Sequence, residues 1–322
     1  MRKIIMNDRG MALILVILMV SIITAVTLLL NKASRSQIDE AANLRDGIET
    51  ACLSKSGFCI GEALLSEDDN DFDSLNESWA RSEQLSSYSA ELFDAGHIGL
   101  RIEDETGKIP VNALVNGTEY NEKIKNLFIL FLNLPEFDLT EQQAGEIVDA
   151  IKDWIDEDDV TTGFGAENMY YEGLENPYPC KNAPLDCIEE LLMIRGITED
   201  LYYGTDNTPG IANYVTLYGK GVININTASN IILKALSDEI TDEMAADMDE
   251  FRKDEGNDLS SPSWYKNVPG MTGITIDPGL ITTKSNTFRI TSTGYLNDMS
   301  KKVCGVIERD SGTVTRLTWK VD

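Results

Sequence analysis

The sequence predicts an α+β protein: a long N-terminal helix, a small antiparallel sheet and a large inserted all-α domain. Three observations predict this architecture. An uncharged apolar run opens the chain, helix-period patterns fill its middle, and alternating apolar and polar residues occur before and after that middle. The 322 residues are enough for about two folded units, each with a core of its own.

Composition and charge exclude several classes of function. Asp and Glu (54) outnumber Lys and Arg (27), and a formal net charge of −27 argues against a nucleic-acid partner, because phosphate contacts need clustered cations. The 42% hydrophobic content excludes wholesale disorder. His97 is the one histidine, so neither a histidine-based triad nor a multi-histidine zinc site is expected. Hydrolytic and zinc chemistries are therefore not expected.

The first helix begins as a predicted membrane span. Residues 11–30 carry no charge, and a helix of that length extends about 30 Å, the thickness of a bilayer's hydrocarbon core. Basic residues precede this run, which predicts a cytoplasmic N-terminus and export of the acidic remainder. Helix-compatible spacing continues beyond the run. The sequence therefore predicts a transmembrane and stem helix over residues 11–55.

Three interpretations fit this N-terminus: a cleaved secretory signal, a plain membrane anchor, or a leader cut on the cytoplasmic side. A secretory signal is disfavoured because the apolar run is long and is followed by a poor cleavage site at Asn31–Arg35. Gly10 stands between a short basic leader and the uninterrupted apolar helix. This junction resembles a prepilin-type leader, which is cut after the glycine. Cleavage between Gly10 and Met11 would leave the helix on the mature chain.

Strand patterns flank a helical middle. A capping-box-like start at Thr140 precedes one apolar helix face, on which Ile147 and Ile151 lie. Alternation predicts strand–turn–strand over residues 92–109 and an antiparallel meander with strands at 287–294, 301–309 and 313–321. The predicted divisions are a leader (1–10), a helix (11–55), an α+β body (56–110 and 269–322) and an inserted helical domain (111–268).

Four short strings carry a family resemblance. They are DWIDED (Asp153–Asp158), GAENMYY (Gly165–Tyr171), NAPL (Asn182–Leu185) and NINTA (Asn224–Ala228). A further feature is Leu15, at the fifth position after the predicted cut, where pilins usually carry Glu. These features follow one another in the expected order over most of the chain. The sequence resembles the type II secretion system protein K family of minor pseudopilins, and the resemblance implies a pilin-like body.

The resemblance also implies a function. Family members are non-enzymatic subunits that nucleate or cap the tip of a periplasmic pseudopilus, in complex with minor pseudopilins I and J. It implies cleavage and N-methylation by a prepilin peptidase, a single-pass anchor in the bacterial inner membrane through residues 11–30, and a body in the periplasm. The alternative is a membrane-anchored periplasmic calcium-binding protein or enzyme unrelated to pili.

An acidic segment after the predicted helix is the candidate metal site. Oxygen-only ligands favour Ca²⁺ or Mg²⁺. An EF-hand register starting at Asp156 places Val160 and Thr161 where Asp or Asn and Gly are expected, so the segment is not an EF-hand. A solvated helix end is the other interpretation, disfavoured because acids there oppose the helix dipole. The resemblance implies structural calcium, bound by Asp156, Asp158, Asp159 and Glu167, with Asp153 and Asn168 as further candidates.

The five cysteines include two pairs, each with six intervening residues. In an oxidising compartment the local pairings Cys52–Cys59 and Cys180–Cys187 are predicted disulfides, each contributing about 2–3 kcal/mol. Cys304 lies in an alternating strand and is predicted to be a buried free thiol. Zinc is disfavoured because the pairs are not CxxC and the chain has a single histidine.

Overall fold

A computed structural model describes residues 8–310 and 312–322, so residues 1–7 of the predicted leader lie outside the described residues. Helices in the described part are α1 (Asp8–Ser66), α2 (Ser82–Tyr88), α3 (Glu122–Leu132), α4 (Glu141–Ile155), α5 (Asn168–Tyr171), α6 (Glu199–Tyr203), α7 (Asn230–Ala235) and α8 (Asp242–Lys253). Its strands are β1 (His97–Asp104), β2 (Ile109–Pro110), β3 (Val115–Asn116), β4 (Glu119–Tyr120), β5 (Val215–Thr216), β6 (Ile223–Asn224), β7 (Ile281–Thr282), β8 (Thr287–Leu296), β9 (Met299–Asp310) and β10 (Thr313–Val321).

Helix α1 combines a free N-terminal half with a packed C-terminal half. Every residue from Gly10 to Ala41 is exposed, and this part is long and apolar enough to cross a membrane. The helix continues past its predicted end at residue 55 to Ser66, because Phe58 and Leu65 are fully buried against the sheet. Among the described residues it is the one helix that could span a membrane, which fits a single-pass anchor with a helical stem.

The main sheet is antiparallel, in the order β1–β8–β9–β10, which confirms the predicted meander. The predicted strand–turn–strand over residues 92–109 is wrong in its second strand. Strand β2 does not return along β1; Ile109 pairs in parallel with Val215, far along the chain. The turn after β1 therefore directs the chain into the helical part, and the confirmed fold class is α+β.

Glycines bring α1 and the sheet close together. A Cβ atom at Gly57 would lie 2.2 Å from Ser292 Oγ, and one at Gly61 would lie 2.9 Å from Ile290 Cγ2. A Cβ atom at Gly294 would lie 2.4 Å from the backbone oxygen of Thr50. The contact at Gly294 is with backbone, and those at Gly57 and Gly61 are with side chains of β8. The three glycines thus allow the helix to lie close to the sheet.

Gly294→Ala is expected to destabilise the chain by about 1–3 kcal/mol, because the added methyl group meets the backbone of α1. Gly47→Ala is the matched control. Gly47 lies in α1, and an added Cβ atom there would have no atom within 4 Å. The alanine variant should therefore stabilise the chain by about 0.5–1 kcal/mol, because alanine favours a helix over glycine. Urea unfolding of the full chain in detergent measures both. Equal effects of the two variants would contradict the close-packing account.

The helical part has its own large core, in which α3 and α4 pack together and α7 packs on α3. Buried residues of this core extend from Ile109 to Ile281. The capping box at Thr140 is present, with Gln143 as its partner. The predicted domain boundaries themselves stay a prediction.

The NINTA string joins the helical part to the sheet. Asn224 Nδ2 donates to Ser285 Oγ (2.7 Å), and Thr227 Oγ1 donates to Asp104 Oδ2 (2.5 Å). Ser285 Oγ donates to the same carboxylate oxygen of Asp104, at the end of β1 (2.5 Å). Burial raises the pKa of Asp104 to about 6. The string's polar side chains thus satisfy a buried carboxylate where the two parts meet.

Candidate metal centre

The candidate centre lies where α4 ends and the following loop folds back. Asp156 caps the C-terminus of α4 in an extended conformation, so the chain leaves the helix there. Two glycines let the loop lie on the helix it has just left. A Cβ atom at Gly163, whose φ is +51°, would lie 2.2 Å from Asp149 Oδ2, and one at Gly165 would lie 2.1 Å from Asp153 Oδ2.

This fold brings three carboxylates together. One oxygen each of Asp156, Asp158 and Glu167 lie within 4.8 Å of one another. Asp156 is fully buried, Glu167 is 3% exposed, and Asp158 is half-buried. Three acids at this spacing repel one another unless a cation or protons lie among them.

Several oxygens at the centre are buried without a hydrogen-bond partner. Among the described residues these include Asp156 Oδ1 and both carboxylate oxygens of Glu167. Asn182 Oδ1 is a further one, and the amide nitrogen of Asn182 donates to the backbone oxygen of Asp158 at 2.5 Å. Buried acceptors are normally satisfied. A group of unsatisfied carboxylate and amide oxygens is the donor set that Ca²⁺ prefers, so the residues fit this ion.

Charge at the centre is only partly balanced. Lys152 pairs with Asp156 and also donates to Thr162 Oγ1 at 2.8 Å. Burial, with the nearby charges of Asp153 and Asp156, raises the pKa of Glu167 to about 8. Burial also raises the pKa of Asp153 to about 6. Ionisation of these carboxylates therefore costs more here than in water, and a further cation would offset that cost.

The other predicted ligands hold the loop. Asp159 Oδ1 accepts from Asn168 Nδ2 at 3.0 Å and lies outside the three-carboxylate group. Asn168 Oδ1 accepts from the backbone N–H of Cys180 (2.8 Å), and Asp153 accepts from the backbone N–H of Thr162 (3.0 Å). Sequence reasoning missed Asn182 as a candidate ligand. The NAPL string marks the position of Asn182, but no sequence signal predicts its left-handed backbone (φ 48°) or the orientation of its side chain.

The cysteines are free thiols in the structure, so the two predicted disulfides are absent from it. Cys52 and Cys59 lie on the continuous helix α1, seven residues apart. Two helical turns place their Cα atoms about 10 Å apart, beyond the reach of a disulfide. Cys180 is buried beside Asp153, whereas Cys187 is exposed. Cys304 is free and half-buried.

Comparisons of the sequence with known proteins agree on one family. The family model for type II secretion system (T2SS), protein K, matches residues 107–205. Type II secretion system protein K from Aeromonas hydrophila is 26% identical over 231 residues, which are 68% of this chain and 66% of that protein. The same-named protein from Pseudomonas aeruginosa is 28% identical over 241 residues, 71% of this chain and 68% of that protein. The match thus spans slightly less than two thirds of the Aeromonas relative.

A solved structure shares the fold. A chain in the crystal structure of the GspK–GspI–GspJ complex from enterotoxigenic Escherichia coli superposes with a TM-score of 0.68 at 18% identity. The superposition covers 88% of this chain and 99% of that one. It agrees with the long helix, the small antiparallel sheet and the additional helices described above. The sequence matches and the shared fold together confirm the predicted resemblance to the type II secretion system protein K family.

Proposed function

We propose that the chain is a non-enzymatic tip subunit of the type II secretion pseudopilus, assembled with minor pseudopilins I and J. The observation that carries the proposal is the combination of an exposed stem with a bulky helical part. Residues Gly10 to Ala41 are exposed, which leaves the sides of the stem free for partner helices. The core spanning Ile109–Ile281 adds bulk beside the sheet that suits the end of a filament. The solved complex with a similar chain supports I and J as partners.

Leu15 supports the tip position. A subunit in the shaft of a pilin filament uses a glutamate at this place to compensate the terminal amine of its neighbour. Leucine offers no charge for that pairing, and an uncompensated amine in an apolar assembly is costly. A subunit with leucine here is better suited to the end of the filament than to its shaft.

Cleavage after Gly10 tests the pilin class. We expect the full chain, co-expressed with a prepilin peptidase, to give a product that starts at Met11 and carries an N-methyl group. Intact-mass measurement reads both changes. Gly10→Leu is the control and should stay uncut, because the small residue at the junction is lost. An uncut wild-type chain, or one cut near Ala33, would overturn the proposal, including its inner-membrane anchor and periplasmic body.

A structural Ca²⁺ is proposed at Asp156, Asp158 and Glu167, with Asn182 as a further oxygen donor. Their unsatisfied buried oxygens support it. Calcium supplies positive charge and flexible oxygen coordination. The ion would hold the returning loop against the end of α4, where Lys152 already pairs with one oxygen of Asp156.

Calcium should stabilise the chain more at pH 8 than at pH 5. In the calcium-free fold the pKa of Glu167 is about 8, above its ordinary value of 4.5. The folded chain therefore keeps a proton that the unfolded chain releases, so its stability falls as pH rises from about 4.5 to about 8. Calcium displaces that proton and offsets the loss. Thermal unfolding with calcium or chelator, at both pH values, measures the difference. A calcium effect that shrinks with rising pH would contradict this assignment.

A further inference from the structure

The segment that follows the candidate metal centre exposes large apolar side chains. Met169 is 94% exposed and Phe164 is 65% exposed, while Tyr170 and Met193 are each 40% exposed. Arg195 contacts two of these residues. It donates to the backbone oxygen of Phe164 at 3.3 Å, and its guanidinium lies 5.0 Å from the centre of the Tyr170 ring. We name Phe164, Met169, Tyr170 and Met193 the distal patch.

A hollow adjoins the distal patch. It has a volume of about 410 Å³ and lies between Phe164 and the outer face of α4. Three carboxylates line it, those of Glu141, Glu146 and Asp149, and Gly145 leaves its floor open. Further exposed acids stand along the same segment, at Glu157, Asp159, Glu172 and Glu175. The surface therefore combines apolar anchoring points with a strongly negative rim.

We propose that the distal patch and its hollow dock a protein segment that carries large apolar side chains flanked by Lys or Arg. Exposed apolar groups of this size with a polar rim are typical of interaction sites. The carboxylates favour a basic partner, because charge complementarity selects the partner and speeds its approach. A second copy of this chain would oppose acids to acids, and an anionic membrane would be repelled. This surface goes beyond the proposed function, which is argued from the stem, the bulk of the helical part and the metal centre.

The test uses the full chain in detergent with calcium and three fluorescent synthetic peptides of equal length. One alternates Leu and Lys, the second alternates Leu and Glu, and the third alternates Ser and Lys. Fluorescence anisotropy should show the tightest binding for the Leu/Lys peptide. The variant with Phe164→Ser and Met169→Ser should bind it at least about tenfold more weakly, since buried anchors dominate such interfaces. Leu92→Ser is the control, because Leu92 is 69% exposed outside the patch.

The contribution of the hollow's carboxylates to peptide binding is measured separately. The double variant Glu141→Gln, Glu146→Gln should bind the Leu/Lys peptide more weakly, and this binding should depend less on salt concentration. Thermal unfolding checks that each variant remains folded. The proposal is overturned if the Leu/Glu peptide binds as tightly as the Leu/Lys peptide, or if the serine variant keeps full binding. The proposal is also overturned if the chain self-associates or binds anionic lipid vesicles, and the two serine substitutions abolish that association rather than binding of the Leu/Lys peptide.

Discussion

Glu167→Gln is expected to abolish the stabilisation of the chain by calcium. Both carboxylate oxygens of Glu167 are buried without a partner, and the side chain lies within reach of Asp156 and Asp158. Glutamine keeps the shape but removes the negative charge that a divalent cation needs. At a calcium concentration about 100-fold above Kd, the wild-type chain gains about 2.7 kcal/mol, and the variant should gain almost none.

Thermal unfolding in calcium and in chelator measures this effect. Glu172→Gln is the matched control, because Glu172 is an exposed acid on the same segment. It should leave the calcium effect unchanged. In chelator, Glu167→Gln should be at least as stable as wild type at neutral pH, since it removes a buried group whose ionisation opposes folding. A Glu167→Gln chain that calcium still stabilises fully would show that the site does not hold the ion as proposed.

Arg309→Met is expected to be the most destabilising single change in the sheet region, at about 3–5 kcal/mol. The guanidinium is buried and pairs with Asp73, and it donates to Asp68 Oδ2 at 2.6 Å. It also donates to the backbone oxygen of Ser285 at 3.2 Å and lies over the ring of Phe288. Methionine fills the volume but leaves the carboxylate of Asp73, which is 1% exposed, buried without its cation.

Arg101→Met is the control for this prediction. Its side chain is 62% exposed, and its guanidinium pairs with Glu103 at 2.8 Å. Exposed pairs contribute about 1 kcal/mol at most, so the variant should unfold close to wild type in urea. Adding Asp73→Asn to Arg309→Met should recover part of the loss, because it removes the orphaned charge. If the Arg309→Met and Arg101→Met variants have the same stability in urea, the buried Arg309–Asp73 pair does not stabilise the contact between β9 and the loop after α1.

The N-terminal helix, the meander and the grouping of three acids could be predicted from local signals. An uncharged run of membrane length, strict alternation and a cluster of carboxylates after a helix each carry a physical meaning within a short window. Asp156, Asp158 and Glu167 lie close together because the loop that joins them folds back on α4 at Gly163 and Gly165. The predicted fourth ligand, Asp159, has its side chain on Asn168 instead, and no local pattern distinguishes it from Asp158.

Long-range packing could not be predicted in the same way. Gly57 and Gly61 weaken a helix by propensity, so the sequence pattern does not predict that α1 continues past residue 55. In the structure these glycines lie against side chains of β8, and this contact favours a small residue at both positions. Strand β2 pairs with β5 more than a hundred residues later, and nothing in its two residues specifies that partner. Cys52 and Cys59 resemble a disulfide pair by spacing alone, and the continuation of the helix through both excludes the bond.

Assembly with partners tests the central claim most directly. The full chain should be co-expressed with minor pseudopilins I and J and a prepilin peptidase, purified in detergent through a tag on this chain, and weighed by native mass spectrometry. The account predicts a single complex that contains all three subunits, with this chain beginning at Met11. A chain that purifies alone, while I and J still associate with each other, would contradict its place at the pseudopilus tip.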